Sequence, residues 1–359
     1  MSNCTSCGNP LAAGAAFCEN CGAPAFAPAP PAPAYFAQPQ APAWQPPAAP
    51  KSAARVFLEN GLGFIPMALL LAAVFALVLL APNFFMAVNL SNVFLQFFMV
   101  LPLAVAVAIT TATLGPDFSV SFTASFCSFW AVSLINNGSL LAGLAAALLV
   151  GTLVGLVNGF FIYFLRLPSI MVTLLTGSIL NAFSILLSES TAIPLEFRVA
   201  FPLLPVFAAV SLLVLAGGFV YVFFAVSQKG EAPAKPGPVN FWAYPLAGAF
   251  AALGGVMFLM RIATFAPSSN ALPYTVLLLL WAALCSSKLL RNRFAPVLYV
   301  SFCFLAVTVL NNIANLLSLP SAITMLLQGF WAFLFMVPAA FVLWPPRRSF
   351  PVNIQSPFL

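Results

Sequence analysis

From Phe64 onward the chain alternates between apolar runs of about 20 residues and short polar interruptions. Ten such runs fall near 64–81, 92–114, 118–136, 140–164, 169–188, 203–227, 241–262, 273–289, 295–317 and 322–344. A run of that length is what a helix needs to cross the hydrocarbon core, and a helix satisfies its own backbone there. The pattern predicts an all-α polytopic membrane protein of about ten transmembrane helices. The residues before the first run read differently. They predict a small module at 1–23 and a Pro/Ala-rich linker at 24–56, ahead of a transmembrane domain at 57–346 and a tail at 347–359.

Within the runs the polar and small positions are themselves periodic. Gly151, Gly155 and Gly159 recur every four residues, so they share one face of the fourth helix. Such a face lets another helix approach closely in a membrane, where packing replaces the missing hydrophobic drive. Arg166 and Pro168 break the chain. The next run carries Thr173, Gly177, Asn181, Ser184 and Ser188 at three- and four-residue spacing, which makes one face of the fifth helix polar.

Composition agrees with the pattern. Hydrophobic residues make up 63% of the 359, charged residues 5%, and histidine is absent. The net charge of +6 comes from basic residues scattered between apolar runs, which read as topology signals and not as a nucleic-acid surface. With ten spans and the amino terminus in the cytosol, ten of the twelve Lys and Arg fall inside; Arg198 and Arg261 fall outside. Both termini are then expected on the cytosolic side of a bacterial cell membrane. No apolar run of signal-peptide length occurs in the first 50 residues.

Four of the seven cysteines lie in the first 21 residues, as Cys4-x-x-Cys7 and Cys18-x-x-Cys21, each pair followed by a glycine. Two such pairs offer four thiolates for one tetrahedral, structural zinc; the alternative is two redox or disulfide pairs. The segment resembles the short zinc-ribbon module at the amino terminus of many bacterial membrane proteins. The linker behind it holds ten prolines in residues 24–50 and reads as an extended spacer, with Tyr35, Phe36 and Trp44 as possible docking residues. Cys127, Cys285 and Cys303 sit singly in or beside apolar runs and read as small hydrophobes.

Three stretches carry a second resemblance. Gly115-Pro116-Asp117-Phe118-Ser119-Val120-Ser121 looks like the Gly-Gly-Ile-Asp-Leu-Ser-Val-Gly-Ser loop of permease subunits of bacterial ABC importers of the ribose and xylose type. GLVNGFFIYFLRLPSIMVTLLTGSI resembles that family's Gly-(Leu/Ile)-Asn-Gly helix end, basic-x-Pro break and following Thr-Leu-Gly-Thr helix. VLNNIANLLSLPSAITMLLQGF resembles its Leu-Asn-Asn-Gly-Leu-Asn-Leu-Leu motif. The likeness covers roughly residues 60–345. It implies a non-enzymatic permease subunit that moves a monosaccharide or similar small polar solute by alternating access. Implied partners are separate ABC ATPase subunits, a second permease copy or paralogue, an extracytoplasmic solute-binding protein and membrane lipid, but no nucleic acid.

Two departures qualify that expectation. Active relatives place a coupling helix between spans six and seven, whereas here Ser227–Asn240 carries Pro233, Pro236 and Pro238, a spacing that predicts no stable helix. Lys229 and Lys235 are the basic residues of this loop toward an ATPase. Between spans eight and nine the family's glycine-rich loop is replaced by Leu284–Pro296, with Lys288, Arg291 and Arg293. The second functional reading is therefore a degenerate permease paralogue, acting as a non-coupling heterodimer partner or as a zinc-ribbon membrane regulator or adaptor. Asp117 is the candidate gating residue or cap of the third span, accepting from the amide of Ser119 or Val120. Gln96, Asn158, Asn181, Ser184, Asn311 and Asn315 are the candidate solute-pathway residues, against the plainer reading that such amides bond between helices.

Overall fold

The computed structural model describes residues 3–4, 6–11, 15–23, 53–197, 202–226, 237–267, 274–290 and 292–343. The chain divides into two compact units, residues 1–51 and 52–359. The second is helical. Its elements are α1 (Ala53–Leu79), α2 (Ala87–Thr113), α3 (Val120–Asn136), α4 (Leu140–Gly159), α5 (Ser169–Leu187), β1 (Ile193–Pro194), α6 (Leu203–Ala225), α7 (Pro238–Phe241), α8 (Ala243–Ile262), β2 (Thr264–Phe265), α9 (Tyr274–Ser287), α10 (Ala295–Leu316) and α11 (Ser321–Leu343). Seven helical stretches among the described residues are long and apolar enough to cross a membrane, and three shorter apolar helices accompany them. The protein is thus a multi-pass membrane protein, and the long and short apolar helices together match the ten predicted runs.

The helices sort into centre and periphery by which residues they bury. α2 is buried on all sides from Met99 to Thr113, as expected of a helix surrounded by others. α8 packs on α2, α3 and α4 together and is the second central helix. α4, α5 and α6 each bury one thin stripe. For α4 it consists of Gly143, Ala147, Gly151, Gly155, Asn158 and Gly159. For α5 it includes Ser169, Thr173, Gly177 and Ser184. The large apolar side chains of these helices, such as Leu153, Leu175 and Phe224, point outward. A soluble helix would be arranged the other way. Here the outside is lipid, so small and polar residues are the ones drawn inward.

The partner of the α4 glycine face is α8. A side-chain carbon on Gly155 would overlap the Tyr244 carbonyl and come within 2.7 Å of Pro245 Cα. One on Gly151 would overlap the Gly248 carbonyl, and one on Gly248 would overlap the Gly151 carbonyl. The two backbones therefore touch directly. α8 makes a similar approach to α3, where Gly255 lies against the Ala124 carbonyl and Ser128 Oγ donates to the Gly255 carbonyl at 2.8 Å.

Interruptions occur where the sequence places them. Ser139 Oγ accepts from the Ala142 amide at 3.1 Å and starts α4. The end of α4 widens into a π-turn over Phe160–Phe164, and Arg166 then takes a left-handed φ of 56° before Pro168 opens α5. In the loop after α6, residues 227–236, with Lys229 and Lys235, lie outside the described residues, as do Arg198, the 24–50 linker and residues 344–359. The expectation of no helix in Ser227–Asn240 is corrected at its end. Pro238 stands at the first position of α7, one turn of helix. A proline fits there because the first amides of a helix have no partner inside it. At the opposite end of the bundle β1 pairs antiparallel with β2, Ile193 opposite Phe265, and both arms of the Asn136 amide hold β1 through Pro194 and Glu196.

The backbone contact gives a clear expectation. Gly155→Leu or Gly248→Leu should cost at least about 1–3 kcal/mol, since the obstructing atoms are backbone and cannot turn aside. Gly329→Leu, where nothing lies within 4 Å, should be near neutral. Thermal unfolding in detergent, followed by circular dichroism, measures both. Equal midpoints for all three variants would refute the packing assignment.

Candidate functional site

The amino-terminal unit is built from two equivalent turns. Cys4 N donates to Asn9 O and Gly8 N to Cys4 O, at 2.8 and 2.9 Å; Cys18 N donates to Ala23 O and Gly22 N to Cys18 O, both at 2.8 Å. Gly8 and Gly22 take left-handed φ values of 77° and 70°, which close each turn. The four sulfurs lie within 4.8 Å of one another, with Cys4 to Cys21 at 3.7 Å and Cys7 to Cys18 at 3.6 Å. A tetrahedral zinc with bonds of about 2.3 Å has sulfur–sulfur edges of about 3.8 Å, so the set fits one structural zinc without rearrangement. The four cysteines are free thiols and not disulfides. Backbone amides of Ser6 and Cys7 pull the Cys4 thiol down to about 7, toward the thiolate a metal needs.

In the membrane unit, polar groups converge on the turn between α2 and α3. Asp117 is buried, and its Oδ1 accepts from the Ser119 amide at 2.8 Å and the Ser119 hydroxyl at 2.6 Å. Ser119 Oγ also accepts from Asn158 Nδ2 of α4 at 3.0 Å, and Asn158 Oδ1 accepts from Thr176 Oγ1 of α5 at 2.7 Å. The result is a chain of hydrogen bonds running Thr176, Asn158, Ser119, Asp117 across three elements. Two further ties hold the turn. Thr173 Oγ1 of α5 accepts from the Phe118 amide at 3.1 Å, and Tyr244 of α8 donates to the Gly115 carbonyl at 3.1 Å. Gly115 has φ 145° and lies so close to Ser169 that a side chain would overlap its hydroxyl, so only glycine fits.

Asp117 carries the one carboxylate of this junction. Burial pushes its carboxyl up to about 6, although both hydrogen bonds from Ser119 act in the opposite sense. No cation among the described residues offsets the burial. The crevice beside it, bounded by Val154, Ala247 and Ala251, has no room even for a water molecule and cannot hold a solute.

The other expected pathway residues are spread through the bundle. Asn181 is half-buried on α5, and Ser184 one turn on is buried with its hydroxyl unpaired. Gln96 is half-buried in α2, and Asn315 is exposed near the end of α10. Asn311 accepts from Gln328 Nε2 of α11 at 3.0 Å. Asn312 exchanges amide hydrogen bonds with Asn89 of α2 at 2.8 and 3.0 Å. Asn158 is the member of the set that meets Asp117. The sequence reading passed over Thr176 and Tyr244. Thr176 lies one position off the polar stripe of α5, and Tyr244 lies inside the apolar run at 241–262, whose pattern does not mark it. Cys127 and Cys303 are buried among apolar neighbours.

Comparison with known proteins bears on both units. Residues 3–25 match the zinc-ribbon domain. The chain is 29% identical over 221 residues to the autoinducer 2 import system permease protein LsrC of Enterobacter sp. (strain 638), covering 56% of this chain and 64% of that protein. It is 25% identical over 200 residues to the LsrC permeases of Yersinia pseudotuberculosis serotype O:3 (strain YPIII) and Yersinia pestis (strain Pestoides F), covering 50% of this chain and 57% of each of them. The chain thus spans less than two thirds of the length of the curated relatives it matches. No solved structure matches. The membrane unit is related to permease subunits of importers, and the amino-terminal unit is a zinc ribbon.

Two measurements check these sites. The purified full chain should hold about one zinc by elemental analysis, and Cys18→Ser should lose most of it; equal zinc in both would refute the ligand set. For Asp117, the folded protein binds its proton more tightly than the unfolded chain, whose carboxyl titrates near 3.8. Its contribution to stability is greatest below that value, declines as pH rises to about 6, and is constant above. Between pH 4 and 7 the wild type should lose on the order of 2–3 kcal/mol relative to Asp117→Asn. Parallel melting curves for the two proteins would show that the carboxylate is solvated.

Proposed function

We propose that the chain is the transmembrane permease subunit of an ABC importer for a small, hydroxyl-rich solute such as a monosaccharide. The similarity to permeases of autoinducer 2 import systems carries the reading. The junction at Asp117 supports it. α4 and α5 are joined through side chains, at one end of the bundle, to the turn that links α2 and α3. A movement of α5 is therefore transmitted to that turn, and alternating access needs such a link. The buried polar stripe of α5, with Thr173 and Ser184, is a further support.

The crevice beside Asp117 has no room for a solute, and the groove between α1 and α10 is apolar. The route accordingly lies at the boundary with a second permease, a copy or a paralogue, and Asn181 and Ser184 are the residues of α5 closest in character to its lining. A separate ATPase drives the change and an extracytoplasmic binding protein delivers the solute. Both termini lie in the cytosol in this reading, which the charge distribution supports.

The second reading is a paralogue that no longer couples. The three prolines of residues 227–240 and the single turn of α7 favour it, since a four-residue helix leaves little to dock on an ATPase.

Affinity purification of the full chain from native membranes separates the readings. A coupling permease should bring down an ATPase and crosslink to it through Lys229 or Lys235. A degenerate partner should bring down a second permease, with all ATPase crosslinks on that partner. Recovery of neither protein would sink both readings.

A further inference from the structure

A groove of about 480 Å³ lies between α1 and α10, apart from the Asp117 junction. Met67 and Tyr299, both nearly fully buried, form its floor; Phe64, Leu71, Leu298 and Phe302 stand half-exposed on its walls. The floor is fixed. Tyr299 donates to the Gly63 carbonyl at 2.6 Å, and Ser286 Oγ donates to the same oxygen at 3.4 Å. The neighbouring Leu62 carbonyl has no amide partner four residues on, because residue 66 is proline, and α1 is held here by α9 and α10 instead. None of the described residues covers the walls.

Three features narrow what occupies the groove. Its lining is apolar apart from Asn292, which stands at one end. It follows α1 from Phe64 to Leu71 and α10 from Ala295 to Phe302, about 10 Å along each at 1.5 Å per residue. α1 and α10 are the first and ninth spans, so they cross in the same sense and the groove runs along the membrane normal. The end at Asn292 is basic. Lys288 is exposed on the turn before it, Arg293 follows it, Arg291 lies between them in sequence, and Arg55 is in the first turn of α1. Glu59 is the only acid near these four in sequence, and residues 262–359 contain none. Arg293 is already engaged with α6, its guanidinium 4.3 Å over the Phe223 ring and bonded to the Phe223 carbonyl at 3.1 Å, which leaves Lys288 as the described free cation.

We propose that this groove is a specific site for one acyl chain of an anionic phospholipid, with its headgroup held at Lys288. A protein helix is about 10 Å across and would rest on the four walls without reaching Met67 and Tyr299, whereas an acyl chain reaches them. A neutral lipid would fill the groove equally well but leave the basic end unmatched. Each cation near a membrane surface strengthens anionic binding about fivefold. The inference needs the chain to cross a membrane but does not depend on transport.

The test uses the full-length protein, purified in detergent, incubated with phosphatidylglycerol and phosphatidylethanolamine in equal amounts and washed. Native mass spectrometry should find about one phosphatidylglycerol retained per chain, several-fold over phosphatidylethanolamine. Ala68→Trp, which fills the groove from α1, should lose the retained lipid with zinc content unchanged. Lys288→Gln should keep a lipid but lose the preference for the anionic one. As a check independent of Ala68→Trp folding, Phe302→Trp should be quenched by brominated phosphatidylglycerol more strongly than by brominated phosphatidylethanolamine. Retention that mirrors the bulk mixture, equal quenching by the two lipids, or a Leu71→Cys crosslink to another protein chain would overturn the proposal.

Discussion

The backbone contact between α4 and α8 is the constraint on which the membrane unit depends. Gly151 and Gly155 lie directly against Tyr244 and Gly248, with no side chain between them. That closeness brings the start of α8 and the end of α4 to the same place. Tyr244 then reaches the Gly115 carbonyl, while Asn158, less than one turn beyond Gly155, reaches Ser119. Holding the helices apart by one methyl group would separate both hydrogen bonds. Close packing and the polar junction are consequently one arrangement, since a buried amide such as Asn158 is tolerable only when its partners are within reach.

Much of this was legible in the chain, and the limits are physical. The apolar runs coincide with the seven long apolar helices and the three shorter ones, because lipid leaves the backbone no alternative. The glycine spacing of α4 and the polar spacing of α5 each identify the buried face, since periodicity records which side of a helix differs from the rest. Periodicity does not record what that side meets. Gly248 and Gly255 sit in an apolar run whose glycines look unremarkable until α4 and α3 are beside them. Thr176 was passed over because Asn158 reaches it from outside the stripe. The turn at Pro238 shows a further limit. A count of prolines predicts a broken loop, yet the last of the three occupies the one helical position where proline is at home.

The two ends of the bundle differ in how they are tied. At the Asp117 end, side chains of α5 and α4 bond in series to the turn between α2 and α3, and no cation among the described residues offsets its one carboxylate. At the other end, Asn136 and the two-residue β1–β2 pair act through backbone groups. A series of side-chain bonds can be broken and remade by a small rotation of α5. A backbone pair gives way only as a unit. The asymmetry favours movement at the Asp117 end with the β end as the fixed reference.

The narrowness of the crevice beside Asp117 has a definite consequence. α5 buries hydroxyls and small residues toward α3 and presents Leu174, Leu175 and Ile179 outward, so within one chain it is a closed wall. The unpaired Ser184 hydroxyl, buried in that wall, is the place where the closed arrangement is least satisfied. A buried hydroxyl without a partner costs about 1–3 kcal/mol, and any state of α5 that gives Ser184 a partner recovers it. The closed wall is therefore held against a standing cost, and the four-residue series at Asp117 is what holds it. Each hydrogen bond in that series contributes on the order of 0.5–1.5 kcal/mol, so the series and the unpaired hydroxyl are of comparable size.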